Sequence, residues 1–69
     1  MKLTFKVVSA WVETLTRLSG DSFVLTSRNG YYAVDNVLDN GGINNLCCGS
    51  LRECYMYVMG MIDVYNRIK

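Results

Sequence analysis

The sequence predicts an α+β domain in which a β-hairpin or three-stranded antiparallel meander carries two helices on one face, an αββα order in two layers. Three local patterns lead to this prediction: an amphipathic helical stretch near the N-terminus, an Asn-Gly turn between two apolar runs, and a helix-capping sequence before the last third of the chain. The 69 residues contain no proline and no internal repeat. We therefore expect one compact domain over residues 1–69.

The first element is predicted to be a helix that ends at Gly20. At about 100° per residue, its apolar side chains fall within an arc of about 140°. This arc consists of Phe5, Val8, Trp11, Val12, Leu15 and Leu18. Thr16 lies on the opposite, polar side, so Thr16→Ala is expected to leave the stability almost unchanged. Residues 1–7 also alternate between apolar and polar, and a strand over residues 1–8 is the alternative.

The second element is predicted to be a hairpin that turns at Asn29-Gly30. This pair tolerates positive φ at both central positions of a type I′ turn. A two-residue loop predicts the cross-strand pairs Ser27–Tyr32, Leu25–Val34 and Phe23–Asn36. The face beneath the helices would carry Phe23, Leu25, Tyr32 and Val34. The face toward water would carry Val24, Thr26, Arg28, Tyr31 and Asp35.

The last third of the chain is predicted to be a second helix, preceded by turn residues 39–42 and a short third strand over residues 43–46. Ser50 and Glu53 fit a capping box, in which each side chain binds the backbone N–H of the other residue. One apolar stripe is expected to face the core. It consists of Leu51, Cys54, Tyr55, Val58, Ile62 and Tyr65.

This helix carries more apolar surface than a lone 69-residue domain can cover. An ordinary surface helix buries a single stripe, whereas here further apolar residues lie beside the first one. Methionine adapts to irregular surfaces, and Gly60 allows another helix to approach closely. We therefore expect a homodimer or another protein partner on this surface. The predicted interface consists of Met56, Tyr57, Met61, Val64 and Ile68.

A nucleic acid is the alternative partner, and the charge pattern is used to judge it. Arg28, Tyr31 and Tyr32 lie at the hairpin tip, where aromatic side chains beside a basic one can stack on single-stranded bases. However, seven basic and six acidic residues give a net charge of only +1, with neither sign concentrated. This balance argues against a nucleic-acid partner, because backbone phosphates are bound mainly by clustered positive charge.

The sequence offers little catalytic or metal-binding chemistry, and we expect no enzyme, no cofactor and no metal site. Histidine, the most frequent general base and metal ligand, is absent. Cys47, Cys48 and Cys54 lack the two-residue spacing and the fourth soft ligand of a zinc site. Cys47 and Cys48 are expected to pack in a loop, with no further role assigned.

Cysteine usage and hydropathy predict a cytoplasmic protein. The odd number of cysteines, two of them adjacent, does not form a disulfide framework and suits a reducing compartment. Lys6 and Glu13 interrupt the only segment that resembles a signal peptide. The longest apolar run, residues 54–62, is much shorter than the roughly 20 residues that a membrane-spanning helix needs.

A set of residues spread over nearly the whole chain resembles the pattern of one group of proteins. They are Leu15, Leu18, Ser19 and Gly20 at the end of the first helix, Gly30-Tyr31 in the hairpin, residues 50–55, and Gly60-Met61. Together they are similar to small uncharacterised proteins of gut bacteria and their phages or mobile elements. Cys47-Cys48 departs from the small polar residues of that pattern. The resemblance implies an αββα fold and a phage or mobile-element context, and we expect an accessory or regulatory protein that acts through protein–protein binding or self-association.

Overall fold

A computed structural model of the chain describes residues 2–68 and confirms the predicted α+β fold class. Both helices pack on one face of a three-stranded antiparallel sheet, so the meander replaces the simple hairpin. In chain order, the elements are α1 (Phe5–Ser19), β1 (Ser22–Arg28), β2 (Tyr31–Val37), β3 (Ile43–Gly49) and α2 (Leu51–Ile68). Met1 and Lys69, the ends of the predicted domain, lie outside the described residues.

The N-terminal segment forms the predicted helix, and among residues 2–8 no strand is present. The Thr4 side chain caps α1 by accepting a hydrogen bond from the Val7 N–H at 3.2 Å. Gly20 ends the helix in the left-handed region, with φ 81°, as expected from its missing β-carbon. Burial of Val8 and Val12 offsets the weak helix propensity of these β-branched residues.

The hairpin has the predicted register but a different turn. Ser27, Leu25 and Phe23 pair with Tyr32, Val34 and Asn36. Gly30 has φ 79°, whereas no residue other than glycine among residues 2–68 has positive φ. The prediction of a type I′ turn is therefore wrong, because that turn needs positive φ at Asn29 as well. Gly30 instead has the φ of the third position of a type II turn.

The third strand is longer than the predicted residues 43–46 and contains the cysteine pair. β3 runs antiparallel to β2, with a register irregularity where Val34 pairs with Cys47 and Asp35 pairs with Asn45. The extra residue, Leu46, forms a β-bulge, and both Leu46 and Cys47 pack against the core. The expectation that Cys47 and Cys48 lie in a loop is thus wrong, because strand pairing with β2 extends through both.

The core lies between the sheet and the two helices. Its buried side chains include Leu15 from α1, Val34 from β2 and Val58 from α2. The predicted main stripe of α2 contributes Cys54, Val58 and Ile62 as buried residues. Phe5 belongs to the apolar arc of α1, but 42% of its surface remains exposed because it lies at the first turn of the helix.

Thr16 connects the end of α1 to the free edge of β1. Its Oγ1 accepts a hydrogen bond from the Phe23 N–H at 3.1 Å and donates one to the Phe23 carbonyl at 3.3 Å. Both Phe23 groups point away from β2, where an edge strand leaves its backbone without a partner. Because of this pair of bonds, we now expect Thr16→Ala to lower the stability, in place of the small effect expected from the sequence.

Candidate functional site

The outer face of α2 leaves large aliphatic side chains in solvent. Ser50 and Glu53 start the helix with the predicted capping box: the Ser50 N–H donates to Glu53 Oε1 at 3.0 Å, and the Glu53 N–H donates to Ser50 Oγ at 3.1 Å. At about 100° per residue, the side opposite the buried Val58 carries Met56 and Val64. The exposed fractions of Met56, Val64 and Ile68 are 64%, 54% and 75%.

These side chains surround an open groove of about 480 Å³ along the helix. All five residues of the predicted interface line it, together with Gly60 and Tyr65. The complete lining is Met56, Tyr57, Gly60, Met61, Val64, Tyr65 and Ile68. A concave apolar surface of this kind can receive the apolar side chains of another chain, because such contact removes both surfaces from water.

The five predicted interface residues differ in how far they are exposed. Met56, Val64 and Ile68 are exposed, so neither the hairpin nor α1 covers them. Tyr57 and Met61 are only partly exposed, and Met61 also packs against the core. A charge introduced at Met61 would therefore disturb the fold as well as any interface. Val64 is the better position for separating the two effects.

Opposite charges lie at the two ends of this outer face. Glu53 lies in the first turn of α2 and Arg67 in the last. Hydrogen bonds from the backbone N–H of Ser50, and then from its side chain, lower the pKa of the Glu53 carboxyl, so it is ionised at neutral pH. Arg67 Nε lies 3.1 Å from Asp63 Oδ2 in an exposed ion pair. The outer face thus combines an apolar centre with charged ends.

The hairpin-tip residues predicted for nucleic-acid binding do not share one surface. Strand alternation places Arg28 and Tyr31 on the open face of the sheet and Tyr32 on the helix-covered face. Tyr32 packs against the core, and its ring centroid lies 6.0 Å from that of Phe5. Arg28 is already paired with Asp35. The structure therefore brings two of the three side chains together, and one of these has its charge neutralised.

Asp35 is the polar residue whose environment the sequence did not predict. It was expected on a face toward water, but only 1% of its surface is exposed. Oδ2 accepts hydrogen bonds from Arg28 Nη2 at 2.9 Å and Thr26 Oγ1 at 3.5 Å, and Oδ1 accepts one from Asn45 Nδ2 at 2.8 Å. An aspartate in the middle of a strand is itself an unusual signal, since strands are depleted in this residue. With all these donors engaged, its role is to join the three strands.

The three cysteines differ in how far they are exposed. Cys54 is buried, Cys47 is partly buried and Cys48 is exposed. Burial, and then the proximity of Cys47, raise the pKa of the Cys54 thiol to about 11, which keeps it protonated at neutral pH. The thiolate is the form that attacks substrates and binds metals. Within residues 2–68, no three or more His, Cys, Asp or Glu side chains are grouped in a way that could hold a metal ion.

Two further observations bear on function. Neither helix, as described within residues 2–68, has the length and apolar character needed to cross a membrane. Comparison with known proteins found no matching family model, no similar curated protein and no similar solved structure. The surfaces of the chain itself are thus the basis for a functional assignment.

Proposed function

We propose that this chain is a small accessory or regulatory protein that acts through protein–protein binding, by self-association on the outer face of α2. The observation that carries the proposal is the exposure of Met56, Val64 and Ile68 around one continuous groove. Exposed apolar surface of this kind marks an interaction site in a small protein, since single scattered apolar residues do not form a groove.

Size and energetics support the same proposal. A 69-residue chain buries a small core and gains relatively little stability from it. Each Å² of apolar area removed from water contributes roughly 25 cal/mol, before the entropy lost on association is subtracted. Covering the groove with a second copy would therefore stabilise the chain and conceal the apolar face of α2 at the same time.

The open face of the sheet is a weaker candidate for such an interface. It carries exposed apolar residues, among them Val24, Tyr31 and Ile43. The charged and polar cluster around Asp35 lies between the strands that carry them. Burying the half-exposed Arg28 there would require its guanidinium group to lose water. The α2 groove has no such group at its centre.

The proposal includes no enzymatic step, cofactor or metal. Histidine is absent from the sequence, and the raised pKa of Cys54 disfavours a thiolate there. The exposed Cys48 is the thiol that could most easily meet a substrate. Turnover of any substrate that is abolished in the Cys48→Ser variant would contradict this part of the proposal.

A cytoplasmic location and a phage or mobile-element context also belong to the proposal. The three cysteines are free, as expected for a chain that works in a reducing compartment. The phage context rests on the resemblance of the helix-end, hairpin and capping residues described above. Identification of the genes beside the one that encodes this chain would test that context directly.

Sedimentation across a dilution series tests the self-association. The unmodified protein is expected to form a dimer that dissociates on dilution, and Val64→Glu is expected to remain monomeric because the carboxylate would be buried without a partner. Ala10→Glu is the matched control, since it adds the same charge at an exposed position of α1. A chain that stays monomeric at high micromolar concentration would contradict the proposal. So would dissociation in the control variant alone.

Nucleic-acid binding is distinguished by its salt dependence. If the proposal is right, fluorescence titration with single-stranded DNA should detect no salt-sensitive binding, that is, no binding whose affinity falls steeply as salt is added. Salt-sensitive binding that is lost in Tyr31→Ala would instead favour the hairpin tip as the functional site. The split of Tyr31 and Tyr32 between the two faces of the sheet makes the hairpin tip the weaker candidate.

A further inference from the structure

Gly60 occupies the middle of the outer face of α2. The helix spans Leu51–Ile68, so Gly60 lies next to its midpoint. It is exposed, and a β-carbon at this position would meet no atom within 4 Å. Glycine weakens a helix interior relative to alanine. Packing within one chain therefore gives no reason for glycine here, whereas close approach of another chain would.

The residues on either side of Gly60 are arranged so that the face complements its own reversed copy. Four residues away in each direction lie the aliphatic Met56 and Val64. Seven residues away lie Glu53 and Arg67, which are opposite in charge. Steps of four and seven residues both return to nearly the same side of a helix. Read from either end, these five residues are charge, aliphatic, glycine, aliphatic, opposite charge. Asp63, which pairs with Arg67 within the chain, lies beside this line of residues.

From this arrangement we infer that a second copy of the chain packs its α2 antiparallel against this face, with the two-fold axis at Gly60. Met56 then meets Val64 of the partner subunit, and Glu53 meets Arg67 of the partner subunit. Each contact occurs twice, as a two-fold interface requires. This inference rests on the proposed self-association and specifies its orientation and register.

The distance between packed helices explains the glycine. Helix axes in contact lie 8–10 Å apart, and each Cα lies about 2.3 Å from its own axis. Two Cα atoms on the line between the axes are therefore separated by only about 3.4–5.4 Å. Two β-carbons pointing at each other would not fit at the short end of this range. Gly60 permits that approach on both chains.

The charges select the antiparallel orientation. A parallel pair would place Glu53 beside Glu53 of the partner subunit and Arg67 beside Arg67 of the partner subunit. Like charges so placed oppose association, while complementary ones fix orientation more than they add affinity. Glu53 and Arg67 lie about 10 Å along the axis from Gly60, so they can meet their partners only at a shallow crossing angle near 20°.

Disulfide cross-linking measures the register directly. In a Cys48→Ser background, which removes the exposed thiol, a mixture of Met56→Cys and Val64→Cys chains is expected to form inter-chain disulfides on mild oxidation, since the antiparallel register places these two positions together. Met56→Cys chains should not cross-link to each other, because the two positions are about 12 Å apart along an antiparallel pair. The same holds for Val64→Cys.

A second variant tests the close approach of the two α2 helices without cross-linking. Gly60→Leu places a side chain in open space in the monomer, so its thermal unfolding temperature should not fall. In the dimer, the leucine would hold the helices apart and raise the dissociation constant about tenfold or more. An unchanged dissociation constant would overturn the inference. The Cys48→Ser background alone, which should not cross-link, is the control for the disulfide experiment.

The outcomes separate this inference from the proposed function. Self-cross-linking of Met56→Cys and of Val64→Cys would show a parallel pair and overturn the antiparallel register. A dimer in sedimentation in which Met56→Cys chains do not cross-link to Val64→Cys chains would also overturn it, while self-association itself would stand. A monomer at every concentration would overturn both.

Discussion

Asp35 is the residue whose environment most affects the sheet. Its carboxylate accepts hydrogen bonds from β1 through Arg28 and Thr26 and from β3 through Asn45, although it belongs to the central strand. Removing a donor from a buried carboxylate is costly, because the remaining charge loses its partner while its own surface stays buried. All buried side-chain nitrogen and oxygen atoms of residues 2–68 have hydrogen-bond partners in the native arrangement.

We predict that Arg28→Met destabilises the fold by about 1–3 kcal/mol, toward the low end because the guanidinium group is half exposed. The double variant Arg28→Met/Asp35→Asn should recover part of this loss, since it removes the uncompensated charge. Urea unfolding measures the native protein, Arg28→Met, Asp35→Asn and the double variant. Arg17→Met, an exposed arginine of α1, is the control and should change stability by less than about 0.5 kcal/mol. Additive effects of the two substitutions would contradict the prediction.

Thr16 is a second residue with an unexpected structural role. Thr16→Ala should destabilise the protein by about 1–2 kcal/mol, because the Phe23 N–H and carbonyl would both lose their partner. Thr14→Ala removes only a bond to the carbonyl of Ala10 within α1 and should have a smaller effect. Denaturant unfolding of the two variants gives the comparison. Equal stability losses would show that the connection to β1 contributes nothing.

The cysteines should react in order of exposure. At about pH 8, a thiol reagent is expected to modify Cys48 first and Cys54 only on unfolding, because burial raises the pKa of Cys54 to about 11. The raised pKa has a stability consequence: its contribution is complete below the ordinary value of 9.0 and is lost as the pH rises through the folded value. Mass spectrometry of digested protein identifies the modified residue, and early labelling of Cys54 would contradict the prediction.

At the scale of elements, local side-chain chemistry determines where each helix begins and ends. Thr4 and Gly20 bound α1, and the reciprocal bonds of Ser50 and Glu53 begin α2. These caps stabilise the helix ends because the backbone groups there have no intrahelical hydrogen-bond partner. The capping carboxylate is the one among them that titrates, and it makes the stability of α2 dependent on pH.

We predict that Glu53→Gln changes the acid sensitivity of the protein. The pKa of Glu53 is lowered below 4.5 in the folded state, so its stabilising contribution is present above that pH and is lost as the pH falls through the folded value. The stability difference between native protein and variant should therefore shrink in acid. Thermal unfolding from neutral pH to below pH 4.5 measures this difference. Glu13→Gln, on the exposed side of α1, is the control.

At the scale of the whole molecule, two layers leave each helix with an outer face that has no partner within the chain. The Cα atoms extend 34 × 32 × 16 Å, and the sheet has both helices on the same side. The polar outer face of α1 suits water. The outer face of α2, with Met56 and Val64 exposed, does not. The outer face of α2 is therefore the surface that we propose for association.

Replacement by alanine should have different effects on stability in the core and on the outer face of α2. Val58→Ala is expected to lower the free energy of unfolding by about 2 kcal/mol and Leu15→Ala by about 3 kcal/mol, because both side chains are fully buried. Val64→Ala should change the unfolding of the dilute monomer by less than about 0.5 kcal/mol while weakening the dimer. Unfolding at low concentration together with sedimentation separates the effects. If Val58→Ala and Val64→Ala destabilised the monomer equally, both side chains would belong to the core and the prediction would be wrong.

The sequence by itself determined the features that depend on residues within about one helical turn or one hairpin of each other. The periodicity of α1, the stop at Gly20, the hairpin register and the capping box were all predicted, because each rests on local backbone geometry. The apolar residues that the sequence predicted for an interface on α2 all line one groove in the structure.

Only the tertiary structure decided what depends on distant partners. Asp35 is buried because β3 supplies Asn45 and β1 supplies Arg28, and Thr16 serves β1 because the chain brings Phe23 back to it. Met61 packs on the core although the sequence predicted it as an interface residue. Burial and hydrogen bonding are properties of three-dimensional neighbours, and a linear pattern does not contain them. The fold of this chain was therefore predictable from local signals, while the environment of its polar residues was not.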